Sequence, residues 1–341
     1  MEGRIPAVNV GPKDRILRME NTAILMCGHG SRDPDAVAEF AAMSGKLKER
    51  LTGRPVGHAF LEFARPIIRD GLEALKAAGA TRILAQPVML FAAGHVKNDL
   101  PWEINSFAAE NPGIAIEYGR ELAVDLKLLA AAKERIAAAE AKAGPAVERG
   151  DTLLLVVGRG TNDPDANSNV AKVARMLWEG MRFGWTEIAY SGVTSPRVDA
   201  ALDRAVRLGF RRIIVFPYFL FTGVLVKRIY EQADSAAAAH PEIQIVKADY
   251  LSDHPLVLDA LAERLAEISS GGNVMNCRLC KYREQVIGYE ADRGAAQAGH
   301  HLHVRGIGVD GGHGHHHHHD HDHGPHHDHD HHDHDHHRRH R

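Results

Sequence analysis

The feature that most limits what this chain can fold into is an internal repeat at a constant offset of 130 residues. Gly28-His29-Gly30-Ser31-Arg32-Asp33-Pro34-Asp35-Ala36 returns as Gly158-Arg159-Gly160-Thr161-Asn162-Asp163-Pro164-Asp165-Ala166. Farther on, Arg82-Ile83, Pro87, Leu90-Phe91 and Val96-Lys97 return as Arg212-Ile213, Pro217, Leu220-Phe221 and Val226-Lys227, with no net insertion between the two sets. Self-similarity at a fixed spacing means that one folding unit has been duplicated, so the fold must be two like lobes in tandem. The copies part company at three positions. His29, Glu62 and His95 stand opposite Arg159, Gly192 and Leu225, and only the first set can bind a divalent cation through its side chains.

Within each lobe, short apolar runs alternate with helical patterns, the signature of a parallel sheet wrapped by helices. The pattern predicts strands over Thr22–Cys27, Val56–Glu62, Arg82–Leu90 and Ile114–Tyr118, and helices over 34–51, 66–78, 98–110 and 121–140. The second lobe repeats the strands over 152–157, 187–191, 212–220 and 243–250. The expected architecture is α/β, two tandem flavodoxin-like lobes, each a parallel sheet flanked by helices. Residues 1–21 form an N-terminal extension, 22–140 the lobe with the ligand candidates, 141–151 a Gly- and Pro-containing linker and 152–270 the degenerate copy. A Cys-x-x-Cys segment over 271–299 and a His- and Asp-rich tail over 300–341, expected to be disordered, complete the chain.

If the strands take the order 2-1-3, His29 after the first strand, Glu62 at the end of the second and His95 after the third meet at one carboxyl edge, where open α/β sheets bind ligands. Gly28 and Gly30 allow a tight turn beside His29, and Pro34 suits the first turn of a helix. Two imidazoles and a carboxylate suit Co2+, Fe2+, Ni2+ or Zn2+ and do not choose among them. Rival chemistries fit poorly. Gly28-x-Gly30 lacks the third glycine of the dinucleotide fingerprint, and neither a phosphate-binding G-x-x-x-x-G-K-[ST] nor a hydrolase G-x-S-x-G is present. Cys27 at an apolar strand end reads as a buried small residue, and His58, His240 and His254 as ordinary side chains.

The formal net charge is −3, and seven Asp against four Arg in 300–341 account for it. No basic stripe argues for nucleic acid. No run of about 18 apolar residues offers a membrane span, and three cysteines fit a reducing interior. The expectation is a cytoplasmic protein.

Gly28-His29-Gly30-Ser31-Arg32, Phe60-Leu61-Glu62 with Pro66, and Pro87-Val88-Met89-Leu90-Phe91-Ala92-Ala93-Gly94-His95-Val96-Lys97-Asn98-Asp99-Leu100-Pro101 together resemble the CbiX-type sirohydrochlorin cobaltochelatases, members of the class II chelatases. The resemblance runs over about 22–283. It implies ATP-independent insertion of Co2+ into sirohydrochlorin on the anaerobic-type route to cobalamin, with His29, Glu62 and His95 as metal-binding and catalytic residues. Siroheme ferrochelatase is the alternative within the class, and a metal-storage or metallochaperone protein acting through the tail is the alternative outside it. Because sirohydrochlorin is rich in carboxylates, Arg32, Lys97 and Arg159 are candidate substrate-binding cations.

Met275-Asn276-Cys277-Arg278-Leu279-Cys280 matches an M-x-C-x-x-C element associated with an iron–sulfur cluster in long members of that family. Two thiolates do not complete a [4Fe–4S] site, which takes about four ligands. A cluster on Cys277 and Cys280 would therefore need the same pair from a second chain, as in a homodimer. Zinc shared with His300, His301 or His303, or a redox dithiol, are rivals. The tail holds 20 of the 25 histidines, interleaved with Asp, and such a tract gathers divalent cations weakly at many places.

Overall fold

The computed structural model describes residues 21–51, 53–294 and 306–309. The expected N-terminal extension, apart from Asn21, and the expected tail over 300–341, apart from 306–309, lie outside the described residues, and with them the candidate zinc partners His300, His301 and His303. The first lobe has strands β1 (Thr22–Gly28), β2 (Val56–Phe60), β3 (Arg82–Pro87) and β4 (Ala115–Tyr118) in the order β2-β1-β3-β4, all parallel. Its helices are α1 (Pro34–Arg50), α2 (Ile68–Ala77), α3 (Leu100–Glu110) and α4 (Leu126–Lys142), with a π-helical turn over His95–Asp99. The second lobe repeats the plan with β5 (Thr152–Gly158), β6 (Trp185–Tyr190), β7 (Arg212–Pro217) and β8 (Gln244–Lys247) in the order β6-β5-β7-β8. Its helices are α5 (Pro164–Met181), α6 (Val198–Arg207), α7 (Val224–Ala239) and α8 (Pro255–Ser270).

Every residue of β1 and β5 is buried, as befits a central parallel strand covered on both faces. The helices after these strands start alike. Asp33 and Asp163 each accept a hydrogen bond from the backbone N–H two residues on, and Pro34 and Pro164 occupy the first turn.

One feature differs from the sequence expectation. Helix 121–140 was expected to flank the first sheet; α4 starts later, at Leu126, and packs on α5 and β8 of the second lobe. In return α8 packs on α1 and β3 of the first, and α4 and α8 lie against each other. A single core cluster accordingly contains Ile24, Met26 and Phe40 together with Leu154, Val170, Ile136 and Leu261. The lobes share a core through exchanged closing helices.

The duplication also builds the polar part of the interface. Lys97 Nζ lies 2.8 Å from Asp163 and 3.3 Å from Asp165, while Lys227 Nζ lies 2.7 Å from Asp33 and 3.0 Å from Asp35. Since 97, 33 and 35 are equivalent to 227, 163 and 165, this is the reciprocal pairing of a two-fold interface written into one chain. It also corrects the expectation for Lys97. Its side chain is 6% exposed and committed to two carboxylates, so it is not free to meet a substrate. Burial opposes its charge, but Asp163 and Asp165 outweigh that and hold its pKa above the usual lysine value.

The two bridges should not matter equally. Both lysines pair with a buried carboxylate, but Lys227 is 49% exposed and its pairs are reached by water from the lysine side, whereas Lys97 and Asp163 are both buried. Lys97→Met is expected to cost about 3 kcal/mol, lowering Tm by several degrees, and Lys227→Met to lower it by clearly less. Thermal unfolding of the two variants side by side checks this.

Candidate metal centre

Three loops at the carboxyl edge of the first sheet carry the candidate ligands. His29 directly follows β1. Its backbone carbonyl accepts from the N–H of Glu62 at 3.0 Å, and the Gly28 carbonyl from that of Leu61 at 2.9 Å, so the loops after β1 and β2 are laced together. Gly30 has φ +94, and a Cβ there would lie 1.7 Å from the Glu62 carbonyl oxygen; only glycine permits this approach. The second lobe keeps the lacing, with Gly192 N–H donating to Arg159 O and Ser191 N–H to Gly158 O, and loses the ligands. His95 begins the π-helical turn, which closes with Leu100 N–H donating to His95 O. Pro101 lacks the N–H that would bond the Lys97 carbonyl in a regular helix, and its counterpart Glu231 sits in regular α7. Tyr118 of β4 steadies the turn, its hydroxyl donating to Val96 O at 3.0 Å.

One nitrogen or carboxylate oxygen from each of His29, Glu62 and His95 lies within 4.8 Å of the others. The imidazole rings meet edge to face with centroids 4.6 Å apart. His29 Nδ1 is 3.0 Å from Gly30 O, which can only accept, so Nδ1 carries the proton and a neutral ring offers the Nε2 lone pair. That Nε2 lies 3.0 Å from Glu62 Oε1. Burial, only partly opposed by the neighbouring Glu62 carboxylate, holds the His29 pKa below the usual histidine value and keeps the ring neutral. His95 Nδ1 lies 2.6 Å from Asp99 Oδ2, and Asp99 is 2% exposed. A carboxylate behind a histidine fixes its tautomer and the orientation of its ring, leaving Nε2 toward the site.

Asp99 was not singled out from the sequence, although the repeat carries its signal. Asp99, Tyr118 and Glu121, all polar, stand opposite Ile229, Ala248 and Leu251. The comparison that isolates the ligands also isolates the polar residues behind them.

The expected substrate cations diverge. Arg159 reaches across from the second lobe, its Nη2 2.9 Å from His29 Nε2. Arg32 is exposed, its guanidinium 4.8 Å from the centroid of the Phe63 ring. Around the rim lie two segments from beyond the lobes. Gly306 N–H donates to Leu61 O and Phe63 N–H to Ile307 O, so the chain just before the His-rich tract straddles Glu62. On the other side, Lys281 bonds Asn162 O in the second lobe, and the Tyr282 hydroxyl lies 3.4 Å from where a Gly94 Cβ would stand. Burial, with Asp163 and Asp99 nearby, pushes the Tyr282 phenol up to about 12, so it remains a neutral hydroxyl beside the His95 loop. Cys280 is buried and Cys277 half-buried; both are free thiols, and among the described residues neither joins a convergent group of three or more metal-ligating side chains.

The CbiX family model matches the chain twice, over residues 23–139 and 153–268, the two lobes of the structure. The chain belongs to the CbiX family. A sirohydrochlorin cobaltochelatase of Priestia megaterium is 36% identical over 266 residues, 78% of this chain and 86% of the relative. A sirohydrochlorin ferrochelatase of the same organism is 31% identical over 252 residues, 74% of this chain and 92% of the relative. Among solved structures, SirB from Bacillus subtilis with Fe3+ aligns at TM-score 0.65 and 29% identity, covering 74% of this chain and 98% of that one. No helix among the described residues of this CbiX-family chain is long and apolar enough to cross a membrane.

Proposed function

We propose that this chain inserts Co2+ into sirohydrochlorin without ATP, in the biosynthesis of cobalamin, with His29, Glu62 and His95 holding the metal. The observation that carries the reading is the convergence of two imidazoles and a carboxylate in the one lobe, at an edge where the duplicated lobe keeps the backbone and has none of them. The relative at 36% identity being a cobaltochelatase favours cobalt. Siroheme ferrochelatase is the second reading, favoured by the relative at 31%. The ligand set accepts either cation, so the metal is decided by comparison. Sirohydrochlorin offered Co2+, Fe2+ and Ni2+ in parallel, followed by absorbance, should metallate fastest with Co2+; a clear preference for Fe2+ would move the reading to the ferrochelatase.

Metallation removes two pyrrole protons from the macrocycle as the cation enters, so the site must both hold a metal and accept protons. Three protein ligands leave positions on the metal open to pyrrole nitrogens. Once the ion has passed to the macrocycle, His95 Nε2 is free to accept one of these protons, with Asp99 holding the ring from behind at Nδ1. Arg32, the Tyr282 hydroxyl and Arg159 stand at the rim, where substrate carboxylates would lie, and the second lobe closes the opposite side. Nothing in this account uses a redox cofactor. A [4Fe–4S] cluster does not fit Cys277 and Cys280 of one chain alone, since two thiolates leave its coordination incomplete.

The tail gathers metal for this site. Gly306 and Ile307 are bonded to the loop of Glu62, so a truncation that spares the site should begin after them, at His313. Removing 313–341 is expected to leave the rate at saturating cobalt nearly unchanged and to raise the cobalt concentration for half-maximal rate. Loss of the saturated rate would show that the tail acts in the chemical step. Persistence of metallation in the truncated chain would in turn dispose of a pure storage role.

A further inference from the structure

Arg159 occupies the position that, by the repeat, belongs to a second His29, and it is aimed at the first. Its Nη2 lies 2.9 Å from His29 Nε2. With Nδ1 engaged by Gly30 O, that Nε2 carries the lone pair a metal would use, and Glu62 Oε1 stands 3.0 Å from the same atom. Facing one another without a cation, a lone pair and a carboxylate repel. The guanidinium, always protonated and without a lone pair of its own, supplies the positive charge. Arg159 therefore donates to the His29 nitrogen that a divalent ion would use and sets its positive charge within the electrostatic reach of Glu62.

From this we infer that Arg159 is a built-in counter-cation that competes with the metal, weakening the hold of His29 and Glu62 on Co2+ so that the ion passes on to the macrocycle. The inference rests on the proposed metallation. Two imidazoles and one carboxylate leave a bound divalent ion with a net charge of +1, and a guanidinium beside it raises the local charge to +2. For the ion to coordinate His29, the Arg159 N–H···Nε2 hydrogen bond must break; when the ion leaves, that bond re-forms. No proton changes hands in this exchange, and no covalent bond is made or broken. A chelatase needs such a device because a site that held its ion tightly would retain it against the pyrrole nitrogens. The duplicated lobe, having lost its own ligands, thus contributes the cation that keeps the remaining site from becoming a metal store.

A role confined to pairing with substrate carboxylates predicts something different. It would change the concentration of sirohydrochlorin needed and leave cobalt affinity in its absence untouched. The test is equilibrium dialysis of Co2+ against the untruncated 1–341 chain without sirohydrochlorin, with the site's share defined as the binding that a His29→Ala chain loses, since the tail is present in both. Arg159→Met and Arg159→Gln are expected to bind cobalt at the site about tenfold more tightly or better, because a unit charge a few ångströms from the ion is removed. Arg159→Lys, which keeps the charge on a different head group, should stay within about threefold of wild type. In metallation assays the two uncharged variants should show a lower KM for cobalt together with a lower kcat. Unchanged cobalt affinity in folded Arg159→Met and Arg159→Gln overturns the inference, whatever happens to the KM for sirohydrochlorin. Should the wild-type chain fail to metallate sirohydrochlorin, the functional reading falls while the cobalt affinities still decide the role of Arg159.

Discussion

Replacing His95 by alanine is expected to lower the metallation rate at least about 100-fold while leaving the fold intact, because the change removes both a ligand and a proton acceptor. The fold should survive because His95 is part-exposed at the start of a helical turn whose closing bonds are made by backbone groups. His29→Ala should behave likewise, since Gly28, Gly30 and the backbone lacing to Glu62 remain. Steady-state rates with Co2+ and thermal melts of both variants check this; a folded His95→Ala chain turning over near the wild-type rate would remove the basis of the site assignment. The reverse change in the other lobe, Arg159→His, should create no second site, because Gly192 and Leu225 offer no ligands.

The acid side of the pH profile follows from the same geometry. A ligand imidazole must be neutral to bind, and ordinary histidines protonate as pH falls through about 6.5. His29 is held below that value, chiefly by burial, so it stays available at pH values where exposed imidazoles have already become cations. As pH is lowered, metal gathered by the tail should be released first, and cobalt bound by the core site should follow at lower pH. Bound cobalt measured against pH in the untruncated chain and in one lacking 313–341 separates the two; simultaneous loss would place His29 among ordinary histidines.

How far the sequence could be read depended on whether a feature was periodic, repeated or neither. Alternating apolar runs and helical patterns are periodic, and they placed β1, β3, β5 and β7 within a few residues. A 2-1-3 order was the condition for His29, Glu62 and His95 to meet at one edge, and the observed β2-β1-β3 arrangement meets it. The exchange of α4 and α8 was hidden, because an apolar stripe shows that a helix must be covered without naming the sheet that covers it. The pairing of Lys97, expected only as a candidate substrate-binding cation, was hidden for a different reason. Its partners Asp163 and Asp165 lie on the other copy, and only the matching trio Lys227, Asp33 and Asp35 reveals the pairing. Asp99 could have been found, since it sits one helical turn from His95 and becomes Ile229 in the copy. The π-helical turn was legible only through Pro101, a residue that ordinarily marks a helix start.

Glu62→Gln should lower turnover by about 100-fold, and it can also say what the carboxylate does. The amide has nearly the same shape, so the loop held by Glu62 N–H to His29 O and by Ala64 N–H to Glu62 O should be undisturbed. Charge and basicity are what is lost. If Glu62 chiefly holds the metal, cobalt affinity without sirohydrochlorin should fall in step with turnover, because a neutral amide oxygen is a far weaker partner for a divalent ion than a carboxylate. If it chiefly accepts a pyrrole proton, turnover should fall while cobalt affinity holds. Its position favours the first outcome. Glu62 Oε1 stands 3.0 Å from His29 Nε2 and faces the Arg159 charge, whereas the proton-accepting geometry belongs to His95, backed at 2.6 Å by Asp99. Loss of turnover with full cobalt affinity would transfer the base from His95 to Glu62, and unchanged turnover would leave Glu62 with no part in the reaction.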